Sequence, residues 1–112
     1  MEKANYFIPN IIKNFEDLLE RKKRKDVLNS IQDYHPSEIA SFIQTLNEKY
    51  RKQFIQILST NFDPKILVEL EPSFLEKIIN EFDVNFLSKA IKELDSDDAA
   101  SIINILDSKK KK

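Results

Sequence analysis

From Leu46 onward, single apolar residues recur every twelve positions: Leu46, Leu58, Leu70, Phe82, Leu94 and Leu106. A further apolar pair precedes each of them by three and four residues: Phe42/Ile43, Phe54/Ile55, Ile66/Leu67, Ile78/Ile79, Ala90/Ile91 and Ile102/Ile103. At about 100° per residue, the three positions fall near −40°, +60° and 0°, one stripe of a helix surface. Each twelve-residue unit therefore predicts one amphipathic helix.

Twelve residues turn an α-helix through about 1200°, so in an unbroken helix the stripe would step about 120° around the axis at every unit. The chain must break between units, which excludes a single long helix or a coiled coil. Start signals stand at the breaks: Asp63-Pro64, Glu71-Pro72-Ser73, Asp83 and Asp95-Ser96. Proline is tolerated in a first turn, and short polar side chains cap it. Ser73 and Glu76 have the spacing of a capping box. Each unit reads as a helix of about eight or nine residues plus a tight connection. Alone, such a helix is marginal. Three buried side chains contribute roughly 5 to 9 kcal/mol, against at least about 9 kcal/mol of backbone entropy. Successive helices must cover one another's stripes, which predicts an all-α superhelical array, a solenoid of short helices with a twelve-residue period.

Tyr50, Phe62, Phe74 and Phe86 also recur at intervals of twelve. They lie about 80° from the rung of their unit and widen its buried stripe. Ahead of the repeat, Ile11, Ile12, Phe15, Leu18 and Leu19 have helical spacing from a start near Ile8 or Pro9, and Val27, Leu28 and Ile31 form a second apolar set. The first six residues are expected to fray. The expected organisation is a helical lead-in over 1–32, the short-helix repeat over 33–107 and a basic tail over 108–112.

Composition narrows the function. A chain of 112 residues that is 41% hydrophobic suits one globular domain. No apolar run is long enough to span a bilayer, and Met1-Glu2-Lys3 lacks the apolar core of a signal peptide, so a soluble, cytoplasmic chain is expected. Without cysteine there is no thiolate nucleophile or cysteine-ligated zinc, and without glycine no phosphate-cradling loop. His35 is the single histidine, which leaves no spare base for a catalytic relay and no multi-histidine metal site. It stands in Tyr34-His35-Pro36-Ser37-Glu38, where a proline at the first helical position makes it part of a helix start. No enzyme activity is expected.

Charge is unevenly distributed. Residues 1–32 carry seven positive and five negative groups, 33–107 carry seven and fourteen, and 108–112 carry four lysines. The acidic repeat repels nucleic acid and suits cations or a basic partner. The run Arg21-Lys22-Lys23-Arg24-Lys25 reads as a solvated helix face or a basic helix end, with contact to anionic lipid, nucleic acid or an acidic surface as the competing reading. Lys109 to Lys112 read as a frayed tail, the end of an excised piece or the start of a longer helix.

The densest acidic cluster is Glu93-Leu94-Asp95-Ser96-Asp97-Asp98. Aspartates around a helix start complement its dipole, which accounts for them structurally. The functional reading is a weak site for a hard cation, since magnesium keeps most of its waters and needs only one or two carboxylates. An EF-hand is excluded by the missing loop glycine and the missing bidentate glutamate after it.

Two segments carry a family resemblance. His35-Pro36-Ser37-Glu38-Ile39-Ala40, and then Leu94-Asp95-Ser96-Asp97-Asp98-Ala99-Ala100-Ser101-Ile102-Ile103-Asn104-Ile105-Leu106, resemble the intracellular N domain of the MgtE magnesium transporters over roughly Val27 to Asp107. Departures are Glu38 and Ser101 where aspartate is usual, and Ser96 and Asp107 where proline is usual. The resemblance implies a right-handed superhelix of short helices. It also implies a cytosolic regulatory domain of a homodimeric magnesium channel, followed by CBS domains and a transmembrane domain. Magnesium held between acidic surfaces of the N and CBS domains would favour the closed pore. Asp95, Asp97 and Asp98, with Glu93 as a weaker member, are the expected metal-binding residues, and Mg2+ the expected regulatory ion. Neither CBS nor transmembrane segments occur in these residues, so an excised domain or a free-standing use of the fold is expected. The alternative is a protein-interaction module resembling the flagellar motor switch protein FliG, whose Gly-Gly linker is missing here, or a free-standing helical adaptor.

Overall fold

Helix starts in this chain are set by proline and by short capping side chains. A computed structural model describes residues 2–59 and 63–110, with side chains over 9–59 and 63–108. The described residues are all-helical. The elements are α1 (Glu2–Glu20), α2 (Arg24–Ile31), α3 (Pro36–Thr45), α4 (Glu48–Leu58), α5 (Lys65–Glu69), α6 (Pro72–Ile78) continued by a 3₁₀ turn (Ile79–Glu81), α7 (Val84–Glu93) and α8 (Ser96–Lys110). Helices α3, α4, α6, α7 and α8 begin at residues 36, 48, 72, 84 and 96, separated by twelve or twenty-four positions.

Local chemistry explains these starts. Asn47 accepts from the Tyr50 amide (3.1 Å) and Asp83 from the Phe86 amide (3.3 Å), so each side chain satisfies a donor that the first helical turn leaves free. A capping box forms at α3. The His35 imidazole Nδ1 accepts from the Ser37 amide (3.1 Å), while Glu38 Oε1 accepts from the His35 amide (2.9 Å). The box expected at Ser73 and Glu76 does not form. Pro72 takes the first helical position and makes Glu71 the N-cap, with no side-chain cap bond, so Ser73 already lies inside the helix. Helix α5 is shorter than expected, with five residues, because the residue before Pro64 is disfavoured in the helical region and the start is delayed to that proline. Asp63 Oδ1 accepts from the Lys65 amide there (2.9 Å).

Two helices run beyond their expected limits. Helix α1 starts at Glu2 rather than fraying, and Pro9 lies within it, where its ring removes one helix hydrogen bond. Helix α8 continues past Leu106 to Lys110.

The apolar stripes are buried in one core. Leu46, Leu58, Leu70 and Phe82 are buried at the ends of their helices, together with Phe42/Ile43, Phe54/Ile55, Ile66/Leu67 and Ile78/Ile79. Burial thins toward α8: Leu94 and Leu106 are half-buried and Ile103 is 40% exposed. Helix α8 packs on α5, α6 and α7, and its opposite side is uncovered among the described residues. Of the aromatic series, Phe86 is buried and Tyr50 and Phe74 are half-buried, while Phe62 lies outside the described residues.

The lead-in helices belong to this core. Helix α1 packs on α2, α3 and α4. Its Phe15 is 1% exposed and meets Phe42 and Phe54 with ring centroids 5.4 and 5.1 Å apart, and Tyr34 at 6.4 Å. Cα extents of 38 × 31 × 25 Å describe a short, thick body rather than a long rod.

Helix α1 ends in a Schellman motif. The Lys23 amide donates to the Leu18 carbonyl (2.9 Å) and the Lys22 amide to the Leu19 carbonyl (3.1 Å), with Lys22 in the left-handed region at φ 58°. A residue with a Cβ pays there for what glycine adopts freely. Lys22→Gly is expected to stabilise the chain by about 0.5–1 kcal/mol, raising Tm by several degrees; thermal unfolding measures it, and a lowered Tm would contradict the strain.

Helix α4 is tied to α1 by Glu20, which accepts from the Tyr50 hydroxyl (2.9 Å) and from Lys49 Nζ (3.4 Å). These bonds, Tyr50's first, hold the Glu20 carboxyl below its ordinary value of 4.5. A depressed carboxyl adds stability that is present above its unfolded pKa and is lost as pH falls through the folded one. Tyr50→Phe should therefore be less stable than the parent near neutral pH, with the difference shrinking below about pH 4; urea unfolding at several pH values tests this, and a gap constant with pH would refute it.

Candidate functional site

The acidic cluster straddles the junction of α7 and α8. Leu94 ends α7 in an extended conformation (φ −80°, ψ 157°), which turns the chain into the next helix. The Asp95 carbonyl accepts from the Ala99 amide (2.8 Å), closing the first turn of α8, in which Asp97 and Asp98 lie. Their carboxylates are favoured at the positive end of the helix dipole. Glu93 closes α7 beside Lys92, which complements that helix's negative end. Glu93, Asp95 and Asp97 are exposed and Asp98 is half-buried.

The structure thus places the four expected carboxylates on one connection without gathering them. Among the described residues, no three or more histidine, aspartate or glutamate side chains come together as a set that could hold a metal ion. Ser101, which replaces a usual aspartate, donates from Oγ to the Asp97 carbonyl (3.2 Å) and closes its own helix turn. What remains is a group of four carboxylates on one connection, three of them exposed and one half-buried. His35 stands elsewhere, as the cap of α3.

A charged feature that periodicity reasoning missed lies in the middle of the chain. Arg51 on α4 forms a two-pronged pair with Glu81 of the 3₁₀ turn, Nε to Oε1 at 3.0 Å and Nη2 to Oε2 at 2.7 Å, with side-chain exposures of only 10% and 14%. The guanidinium lies 5.7 Å from the Phe74 ring centroid. Hydrogen bonding to Glu81 holds Arg51 above its ordinary pKa, against the opposing effect of burial. A signal was present. Seven residues before a rung is about 20° from it on the stripe, and Ile39, Leu75 and Leu87 occupy that position in other units and are buried. Of the two charged members of that column, Asp63 is exposed ahead of α5 and Arg51 is buried, and a buried charge needs a partner.

The family model described as the MgtE intracellular N domain matches residues 34–112. The chain belongs to that family. No curated protein and no solved structure matches it. The MgtE N domain is a family of transporter regulatory domains and not of enzymes, and the match does not favour the motor-switch alternative. In this MgtE N domain, α3 to α8 lie within the matched range, while α1 and α2 precede it. No helix of the described residues is long and apolar enough to cross a membrane.

Proposed function

We propose that this chain is the cytosolic, magnesium-sensing regulatory domain of an MgtE-type magnesium channel or transporter, acting in a homodimer beside CBS and transmembrane domains. The observation that carries the reading is the family match over residues 34–112. On this reading residues 33–107 form a right-handed superhelix of twelve-residue units, preceded by a lead-in over 1–32 and followed by a basic tail over 108–112. The helix starts at residues 36, 48, 72, 84 and 96 support the period.

The donor set fits a hard cation. Asp95, Asp97 and Asp98, with Glu93 as a weaker member, would hold Mg2+ through its water shell, and acidic groups of the CBS domains would complete the site. The ion would supply neutralisation of two facing acidic surfaces. Without it, the carboxylates of α8 repel the partner surface, and a net −7 over residues 33–107, from seven positive and fourteen negative groups, strengthens that repulsion.

Thermal unfolding against magnesium tests the reading, with calcium and ionic-strength-matched sodium as controls. Binding to the folded chain adds about 1.4 kcal/mol at ten times Kd, enough to raise Tm by several degrees. The rise is expected with divalent cations and should disappear in Asp97→Asn/Asp98→Asn. Magnesium-dependent compaction of a full-length transporter carrying this domain should fall in the same variant; unchanged compaction would remove these carboxylates from the sensor.

A further inference from the structure

The opposite end of the molecule carries a basic trough that magnesium sensing does not use. Its first wall is the α1–α2 junction, with Lys22, Lys23 and Arg24, and its second wall is α4, with Lys49, Gln53 and Gln56. Half-buried Ile57 supplies apolar surface between them, with the buried core residue Leu19 beneath, and the open space between the walls is about 650 Å³. Four cations face one carboxylate, Glu20, which already accepts from Tyr50 and Lys49. Among the described residues, Lys22, Lys23 and Arg24 make no ion pair, and Arg21 next to them pairs with Asp17 at 3.4 Å.

The Schellman turn is what concentrates this charge. Lys22 in the left-handed region stops α1 and lets α2 begin at Arg24, so three consecutive cations sit on one sharp corner instead of being spread around a continuing helix. Like charges held this closely raise the local potential and attract an anionic partner.

We infer that this trough is a docking site for an acidic peptide segment that carries an apolar side chain. Carboxylates would pair with Lys22, Lys23 and Arg24, the Gln53 and Gln56 amides offer both donors and acceptors to an extended or helical backbone, and the apolar side chain would cover Ile57. The shape favours a peptide over a lipid surface: a flat bilayer reaches the rim of a trough but not its floor, leaving the apolar surface and the glutamine amides without a role. The site lies mostly ahead of and apart from the acidic α7–α8 junction, so it can be occupied independently of a cation there.

The test uses the whole chain and a fluorescein-labelled peptide, EELDEELD, followed by fluorescence anisotropy at low and at physiological ionic strength. Saturable binding that weakens with salt is expected. The double charge reversal Lys23→Glu/Arg24→Glu should weaken binding at least tenfold, whereas Lys89→Glu/Lys92→Glu, an equal charge change on α7, should leave it within about twofold. Replacing both leucines of the peptide by serine should also weaken binding. Thermal unfolding confirms that each variant is folded. Equal loss in the two double variants would reduce the effect to net charge and overturn the proposal. So would equal affinity of the serine peptide, tighter association with phosphatidylserine vesicles than with peptide, or a self-association of the chain that Lys23→Glu/Arg24→Glu abolishes.

Discussion

Glu81→Ala is expected to destabilise the chain by about 3 kcal/mol, lowering Tm by more than about 10 °C. The reason is asymmetry. Arg51 and Glu81 are joined by two bonds of 3.0 and 2.7 Å with side chains 10% and 14% exposed. Removing one partner leaves the other charge largely desolvated and without its counter-ion. The residual exposure sets the estimate at the low end of the range for buried pairs. Arg51→Leu should be similarly harmful, since it strands Glu81. The double variant Arg51→Leu/Glu81→Leu should recover most of the loss, because three of the equivalent stripe positions, Ile39, Leu75 and Leu87, are apolar and buried. Urea unfolding of the four proteins gives the coupling energy directly. A Glu81→Ala cost below about 0.5 kcal/mol would mean that the pair behaves as a surface pair.

The second large effect lies outside the matched family range. Phe15→Ala should cost about 3–5 kcal/mol, the value for deleting a fully packed aromatic ring. Phe15 is 1% exposed, and its ring touches Phe42 of α3, Phe54 of α4 and Tyr34 of the α2–α3 connection. It belongs to α1, yet most of what it covers lies at or beyond residue 34, where the match begins. The loss should therefore appear as one cooperative transition at lower denaturant, with far-ultraviolet dichroism and tyrosine fluorescence moving together. An early transition confined to α1, with the rest unfolding as in the parent, would make the lead-in an appendage.

Much of the candidate site was legible locally. The Asp95-Ser96 break and the aspartates after it announced a helix start, and α8 begins at Ser96. Where local reasoning failed, a competing local rule decided: Pro72 at the first helical position displaced the cap expected at Ser73, and Pro64 shortened α5. The capping box that does form uses His35, a residue whose sequence context marked a helix start without revealing that its imidazole is the acceptor.

The sequence by itself determined most of the apolar residues that face inward and where most helices of the repeat begin, because a 3.6-residue period, a proline ring and a capping side chain act over a few neighbouring residues. Only the tertiary structure decided which stripes meet. It brought Arg51 to a carboxylate thirty residues away, seated α1 on α3 and α4, left the α7–α8 carboxylates ungathered, and set three cations opposite α4. Those outcomes depend on how helices pack after the chain has turned several times, and no local pattern encodes the sum of those turns.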